Sequence, residues 1–263
     1  MATLRLVTRL ILFALVLLAT SAVAGWVTLR EKLAGAPLDR TPYARACFSA
    51  ASRSLGLNIR CRGERAPGPV LLVSNHVSWS DIPVLGGIAR LRFLSKAEVA
   101  RWPLIGWLAG HAGTLFIQRG GGRAAQTREE IARTLASGQS VLVFPEGTTS
   151  DGHQVLPFHS RLLPAASMAG VAIQPVSIGY LRNGRPDPVA PFIGDDAFES
   201  HLLRLLRQPA AEVMVVLHEP VMVSADDDPA ALAQRLHKIV ADGLRDCYKG
   251  RAAVTSSSVA SLT

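Results

Sequence analysis

The segment Ser74-Asn75-His76-Val77-Ser78-Trp79-Ser80-Asp81 sets an imidazole five residues before a carboxylate. Imidazole takes up a proton near neutral pH, and a carboxylate bonded to one ring nitrogen fixes the tautomer that leaves the other free. Such a pair can withdraw the proton of a weak nucleophile such as a hydroxyl. A plainer reading, a core histidine and a helix-capping aspartate, uses the same two residues. The flanks add to the chemical reading: the apolar run Val70–Val73 reads as a buried strand, and Ile82-Pro83-Val84-Leu85 as the start of a helix. Open α/β sheets carry their chemistry on strand-to-helix turns of this kind.

Two further segments have the same layout. Phe144-Pro145-Glu146-Gly147-Thr148-Thr149 follows the apolar run Val141-Leu142-Val143. Pro145 limits continuation of a ladder and Gly147 permits a tight turn, so Glu146 is carried at a strand end. There a carboxylate could bind a substrate hydroxyl or cation, and main-chain N–H groups near Gly147 could hold an anion or a developing oxyanion. An ordinary turn with a solvated glutamate is the alternative. In Gly113-Thr114-Leu115-Phe116-Ile117-Gln118-Arg119-Gly120 a strand delivers Arg119 beside flexible backbone, an arrangement suited to phosphate, although a lone arginine after a strand is commonly a surface charge. The chain contains no Gly-x-Ser-x-Gly elbow, Gly-Lys-Ser/Thr phosphate loop, Gly-x-Gly-x-x-Gly or His-Glu-x-x-His, and its other histidines lack metal-ligand spacing.

The elements that must position these residues are strand-like runs at Val70–Val73, Leu91–Leu94, Thr114–Ile117, Val141–Phe144, Val171–Ile178 and Val213–Leu217. Helical patterns cover Thr41–Leu55, Ile82–Ala89, Gln126–Ala136, Leu162–Ala169 and Pro229–Tyr248, and Asn183–Pro191 reads as a loop. Apolar strands alternating with amphipathic helices predict an α/β fold with a mainly parallel sheet flanked by helices. A chain of 263 residues with 18% charged and 49% hydrophobic side chains is not disordered and can fill one core. Cys47, Cys61 and Cys247 suggest neither a disulfide framework nor a zinc site.

The formal net charge is +8, which suits an anionic partner. No zinc-finger spacing, RNA-binding aromatic signature or repeated basic helix is present, so a membrane surface is expected and nucleic acid is not. Leu10 to Leu29 holds no charged residue, a length of roughly 30 Å as a helix, and predicts an N-terminal membrane helix. Ala22-Val23-Ala24 before Gly25 also resembles a signal-peptide cleavage site. The run is long for a signal core, and Arg30, Lys32, Arg40 and Arg45 follow it, which favours an anchor with that side in the cytoplasm.

The three segments in this order resemble the glycerolipid acyltransferase family typified by 1-acylglycerol-3-phosphate acyltransferases. The resemblance rests on Asn75–Asp81, Phe116-Ile117-Gln118-Arg119, Phe144–Thr148 and Gln174-Pro175-Val176, with Lys96-Ala97-Glu98 and Trp102–Gly106 between them, and covers about Pro69 to Tyr180. It implies a general base at His76 oriented by Asp81. It also implies acceptor binding by Asn75, Phe116, Arg119, Glu146, Gly147 and Thr148. Neither a metal nor a resident cofactor is implied; the acyl donor is acyl-CoA or acyl carrier protein, and the acceptor a lysolipid hydroxyl. The domain organisation expected is an anchor over residues 1–34, an acyltransferase domain over 35–250 and a disordered tail over 251–263.

Two departures bear on the acceptor. Members that form phosphatidic acid continue Glu-Gly-Thr with arginine, where this chain has Thr149, and Phe158-His159-Ser160-Arg161 puts His159 and Arg161 where lysine and glycine are usual. Arg161 is therefore a candidate replacement cation. The first expectation is transfer to 1-acylglycerol 3-phosphate, giving phosphatidic acid. Lyso-ornithine lipid is the alternative acceptor, a thioesterase with Ser78 as nucleophile is an alternative enzyme, and a non-catalytic membrane-binding protein is the alternative of another class.

Overall fold

The computed structural model describes residues 1–117 and 123–249; Arg119 and the expected tail over residues 251–263 lie outside the described residues. Helix α1 (Ala2–Ala34) ends at Gly35, whose left-handed φ of +64° costs a residue without a Cβ nothing. It is followed by α2 (Thr41–Ser54), with Pro42 in its first turn, and by β1 (Leu57–Arg62). Next come β2 (Leu71–Ser74), α3 (Asp81–Ile88), β3 (Arg92–Lys96), a 3-10 turn, α4 (Ile105–His111) and β4 (Leu115–Ile117). Then α5 (Ala124–Ala136), β5 (Val141–Val143), α6 (Ala165–Met168), β6 (Ile173–Arg182) and β7 (Arg185–Pro186) follow. The described chain closes with α7 (Phe198–Arg207), β8 (Ala211–Leu217) and α8 (Pro229–Lys249).

The strands form one sheet in the order β1-β8-β6-β2-β5-β3-β4, with β7 paired to β6. All neighbours are parallel except β6 with β8 and β7. The sheet is thus mainly parallel and flanked by helices, as the sequence predicts. Every residue of β2 and β5 is buried, since both faces are covered. Alternation splits them: Leu72 and Leu142 pack with Leu85, Phe93 and Ile178, while Leu71, Val73, Val141 and Val143 pack with Ile131, Ala166 and Leu236.

Besides β7, three elements escape the sequence reading. β1 carries two arginines and is an exposed edge strand, so its apolar alternation is weak. α4 is short and contains two glycines. α7 is strongly amphipathic, with Leu205 and Leu206 buried, and was open to detection. The expected loop from Asn183 begins as a hairpin: Arg182 pairs Arg185 across Asn183-Gly184, both with positive φ. Asn-Gly is the preferred pair for that turn.

Helix α1 packs lengthwise on the body instead of standing apart. Arg5 and Arg9 donate to the main-chain oxygens of Arg207 and Gln208 at the end of α7, and Phe13 and Val27 are buried. Leu4, Val7, Ile11, Leu15, Leu18, Trp26, Leu29 and Leu33 are exposed. At 100° per residue these eight fall on one stripe opposite Phe13 and Val27. The helix is long and apolar enough to cross a membrane and has an apolar outer face for membrane association.

Candidate active site

β2 and β5 are parallel neighbours with Val73 opposite Val143, so His76 and Glu146, each three residues further on, emerge at the same level. The main-chain N–H of His76 donates to Glu146 Oε1 at 2.6 Å, and that of Leu156 donates to Oε2 at 2.8 Å. Both oxygens of Glu146 thereby hold the backbone of the two turns, and the side chain is buried. Burial, as the main cause, pushes its carboxyl up to about 7; the two N–H donors oppose this. Gly147, at φ +72°, closes the turn by donating its N–H to Phe144 O.

Asp81 begins α3 and is wholly buried. Its Oδ2 lies 2.7 Å from His76 Nδ1 and accepts the N–H groups of Val77 at 2.7 Å and Ser78 at 3.0 Å. Oδ1 accepts the Tyr180 hydroxyl at 2.7 Å, and Ser80 Oγ lies 2.9 Å from the same hydroxyl. A carboxylate so saturated with donors is fixed in position and so fixes the ring beside it. The imidazole stacks on Phe144, with centroids 3.9 Å apart and planes 11° from parallel. Among the described residues Nε2 has no hydrogen-bond partner, and His76 lines an open cavity.

That cavity has a volume of about 570 Å³. Phe13, Leu17 and Val27 of α1 and Tyr43, Ala44 and Phe48 of α2 give it apolar lining, and His76, Gly147, Thr148 and Thr149 line it too, as do Arg40, Lys96 and His111. Thr149 Oγ1 donates to Phe192 O, which ties the third segment to the strap ahead of α7. From the turn after β2, Trp79 Nε1 donates to His201 Nδ1 of α7 at 3.0 Å, and His201 Nε2 lies 3.0 Å from Pro191 O of the strap.

The structure brings His76, Asp81, Gly147 and Thr148 together, but separates other members of the expected set. Asn75 is wholly buried: its Nδ2 donates to Ile178 O and its Oδ1 accepts Ile178 N–H, so it clamps β2 to β6 and does not face the cavity. Phe116 and Arg161 are not on the cavity wall, and Arg161 is exposed to solvent. Arg119 lies outside the described residues. Ser78 is wholly buried and its Oγ has no partner among the described residues, an environment unsuited to a nucleophile that must meet substrate. Tyr180, Ser80 and Phe144 complete the surroundings of the pair without having been singled out in the sequence.

The sequence profile of the Acyltransferase family matches residues 58–179. A lyso-ornithine lipid O-acyltransferase of Pseudomonas aeruginosa is 48% identical over 220 residues, covering 83% of this chain and 85% of the relative. The chain belongs to the acyltransferase family. Within it, a 1-acyl-sn-glycerol-3-phosphate acyltransferase of Neisseria gonorrhoeae is 29% identical over 203 residues, covering 77% of this chain and 80% of that one. The crystal structure of the 1-acyl-sn-glycerophosphate acyltransferase of Thermotoga maritima shares the fold, with a TM-score of 0.66 at 24% identity over 94% of this chain and 98% of that one. This member of the acyltransferase family is an O-acyltransferase, and the turn carrying His76 and Asp81 falls inside the matched segment.

Proposed function

We propose that the chain moves a fatty acyl group from acyl-CoA or acyl carrier protein to the free hydroxyl of a lysolipid at the cytoplasmic face of a membrane. The observation that carries this reading is the His76–Asp81 pair on a largely apolar cavity, with Nε2 unpartnered among the described residues. The acceptor hydroxyl gives its proton to His76 Nε2 as its oxygen attacks the thioester carbonyl carbon. Asp81 steadies the imidazolium that forms. The tetrahedral intermediate collapses with cleavage of the C–S bond; the thiolate leaves and is protonated by the imidazolium, and an ester remains. The acyl chain lies along α1 and α2, where each methylene removed from water contributes about 0.8 kcal/mol. On this reading Asn75 and Glu146 position the two turns and do not touch the acceptor.

The acceptor has two readings. The family's phosphatidic acid-forming members support 1-acylglycerol 3-phosphate, to which Arg119 would present a cation. Lyso-ornithine lipid is favoured by position 149, where a threonine bonded to Phe192 O stands in place of arginine, and by the 48% identity to a lyso-ornithine lipid O-acyltransferase. The test compares wild type and Thr149→Arg on both acceptors. With lysophosphatidate as acceptor the variant is neutral or faster. With lyso-ornithine lipid it is slower, because a guanidinium is placed near the ornithine amine. Equal rates for both proteins on both acceptors would remove position 149 from head-group reading.

A further inference from the structure

At the opposite edge of the sheet, where β2, β3 and β5 begin, a second cavity of about 1140 Å³ lies between the end of α1, the α1–α2 connection and the turn before β5. The mechanism uses none of it. Its wall carries Lys32, Arg40, Arg65, Arg90 and Arg92 against only Glu31 and Asp39, a net charge of +3. Arg40 is neutralised by Glu31. The other guanidiniums have weaker or uncharged partners. Arg65 donates to Ser140 Oγ, Arg92 to Gln139 Oε1 and Gly113 O, and Arg90 stands 4.0 Å from the exposed Asp39. Burial first, then neighbouring guanidiniums, holds Arg65 and Arg92 below the ordinary arginine value: Arg90 and Arg45 act on Arg65, and Arg40 on Arg92. Cations gathered in a crevice without matching carboxylates are arranged for an added anion.

The position selects the kind of anion. Thr28, Glu31 and Lys32 line the crevice from the last turns of α1, and Trp26, Leu29 and Leu33 on the next face of those turns are exposed. When that apolar face is in a lipid layer, the crevice lies at the level where the helix leaves it, among the head groups. Basic side chains beside a membrane-bound helix are the arrangement that attracts acidic lipids.

We propose that this crevice binds the phosphate of an acidic phospholipid head group, through Arg65, Arg90 and Arg92. It opens at the other edge of the sheet from His76, although Arg40 lines both it and the catalytic cavity. The inference rests on the membrane reading of α1 but not on the identity of the acceptor or on the role of His76. Free phosphate esters, such as those of coenzyme A, offer the same chemistry from solution.

The test measures co-sedimentation of the purified full-length protein with phosphatidylcholine vesicles, with and without phosphatidylglycerol. Binding to neutral vesicles reports the apolar face of α1; the increment from phosphatidylglycerol reports the crevice. Arg65→Gln and Arg90→Gln are each expected to reduce that increment by about five-fold and the pair by more. Lys238→Gln, an exposed cation of α8, should leave it unchanged. Thermal unfolding of each variant separates loss of a charge from loss of the fold, and Arg90→Glu supplies a second variant at the least packed of these positions. An undiminished increment in the double variant overturns the proposal. So does a loss that is matched by the control. A second arm adds coenzyme A or inorganic phosphate: if either at low concentration displaces the increment from wild type but not from the double variant, the crevice serves soluble phosphate and the lipid assignment fails. Reduced binding of an acidic carrier protein with vesicle binding intact would likewise overturn it.

Discussion

Around His76 the carboxylates of Asp81 and Glu146 are committed to named hydrogen-bond partners, while α1 and α2 meet the same cavity mainly with apolar side chains. Asp81 takes four donors and Glu146 takes two main-chain N–H groups. Along the wall, Phe13, Leu17, Ala44 and Phe48 offer shape and little else. The difference teaches how two demands are met in one cavity. Proton transfer needs an atom fixed to a fraction of an ångström, which hydrogen bonds supply. An alkyl chain needs only removal from water, which any apolar surface of suitable volume supplies.

The largest effect should come from the committed end. His76→Ala is expected to reduce acyl transfer by about 10³-fold or more while leaving the circular dichroism spectrum and the membrane-bound fraction unchanged. Activity within a few-fold of wild type would falsify the proton-transfer role and erase the contrast between the two ends.

The shell behind the histidine comes next. Asp81→Asn should lower kcat by about 10²–10³-fold with little change in acceptor KM, because an amide cannot stabilise the imidazolium. Tyr180→Phe removes a single donor to the same carboxylate and should cost about ten-fold in kcat and about 1–2 kcal/mol of stability. Kinetics confined to KM in both variants would show that this network serves acceptor binding instead.

At the packed wall the expected effect is smaller and different in kind. Ala44→Phe narrows the cavity and should lower transfer of long acyl chains several-fold relative to short ones, with turnover on short donors preserved. A uniform loss across chain lengths would mean that the wall is also part of the fixed geometry.

The smallest effect concerns Glu146. Its carboxyl is raised to about 7, so the folded state holds the proton more tightly than the unfolded chain. The associated stability is present below the ordinary carboxylate value of about 4.5 and is lost as pH rises to about 7. Urea midpoints measured from pH 4 to 8 should show this decline in wild type, and Glu146→Gln should flatten it. The same slope in both proteins would assign it to another group.

By itself the sequence determined the central strands, the turns that follow them, the spacing from His76 to Asp81 and the apolar N-terminal helix. These are local properties: a buried strand is a short apolar run, and a turn between strand and helix announces itself by composition. The tertiary structure decided what surrounds them. Tyr180 lies 99 residues from Asp81, and only the pairing of β6 with β2 brings its hydroxyl there. Glu146 reads in the sequence as a substrate ligand, yet the register between β2 and β5 sets its Oε1 against His76 N–H, and the following loop brings Leu156 N–H to Oε2. Asn75 sits next to the histidine in sequence but clamps β6. The apolar run of α1 could be read as an anchor of its own; its contacts with α7 and α2 make it a wall of the cavity as well. Sequence encodes what a residue can do within a few positions, and the long-range pairing of strands and helices chooses which of those capacities is left free to act.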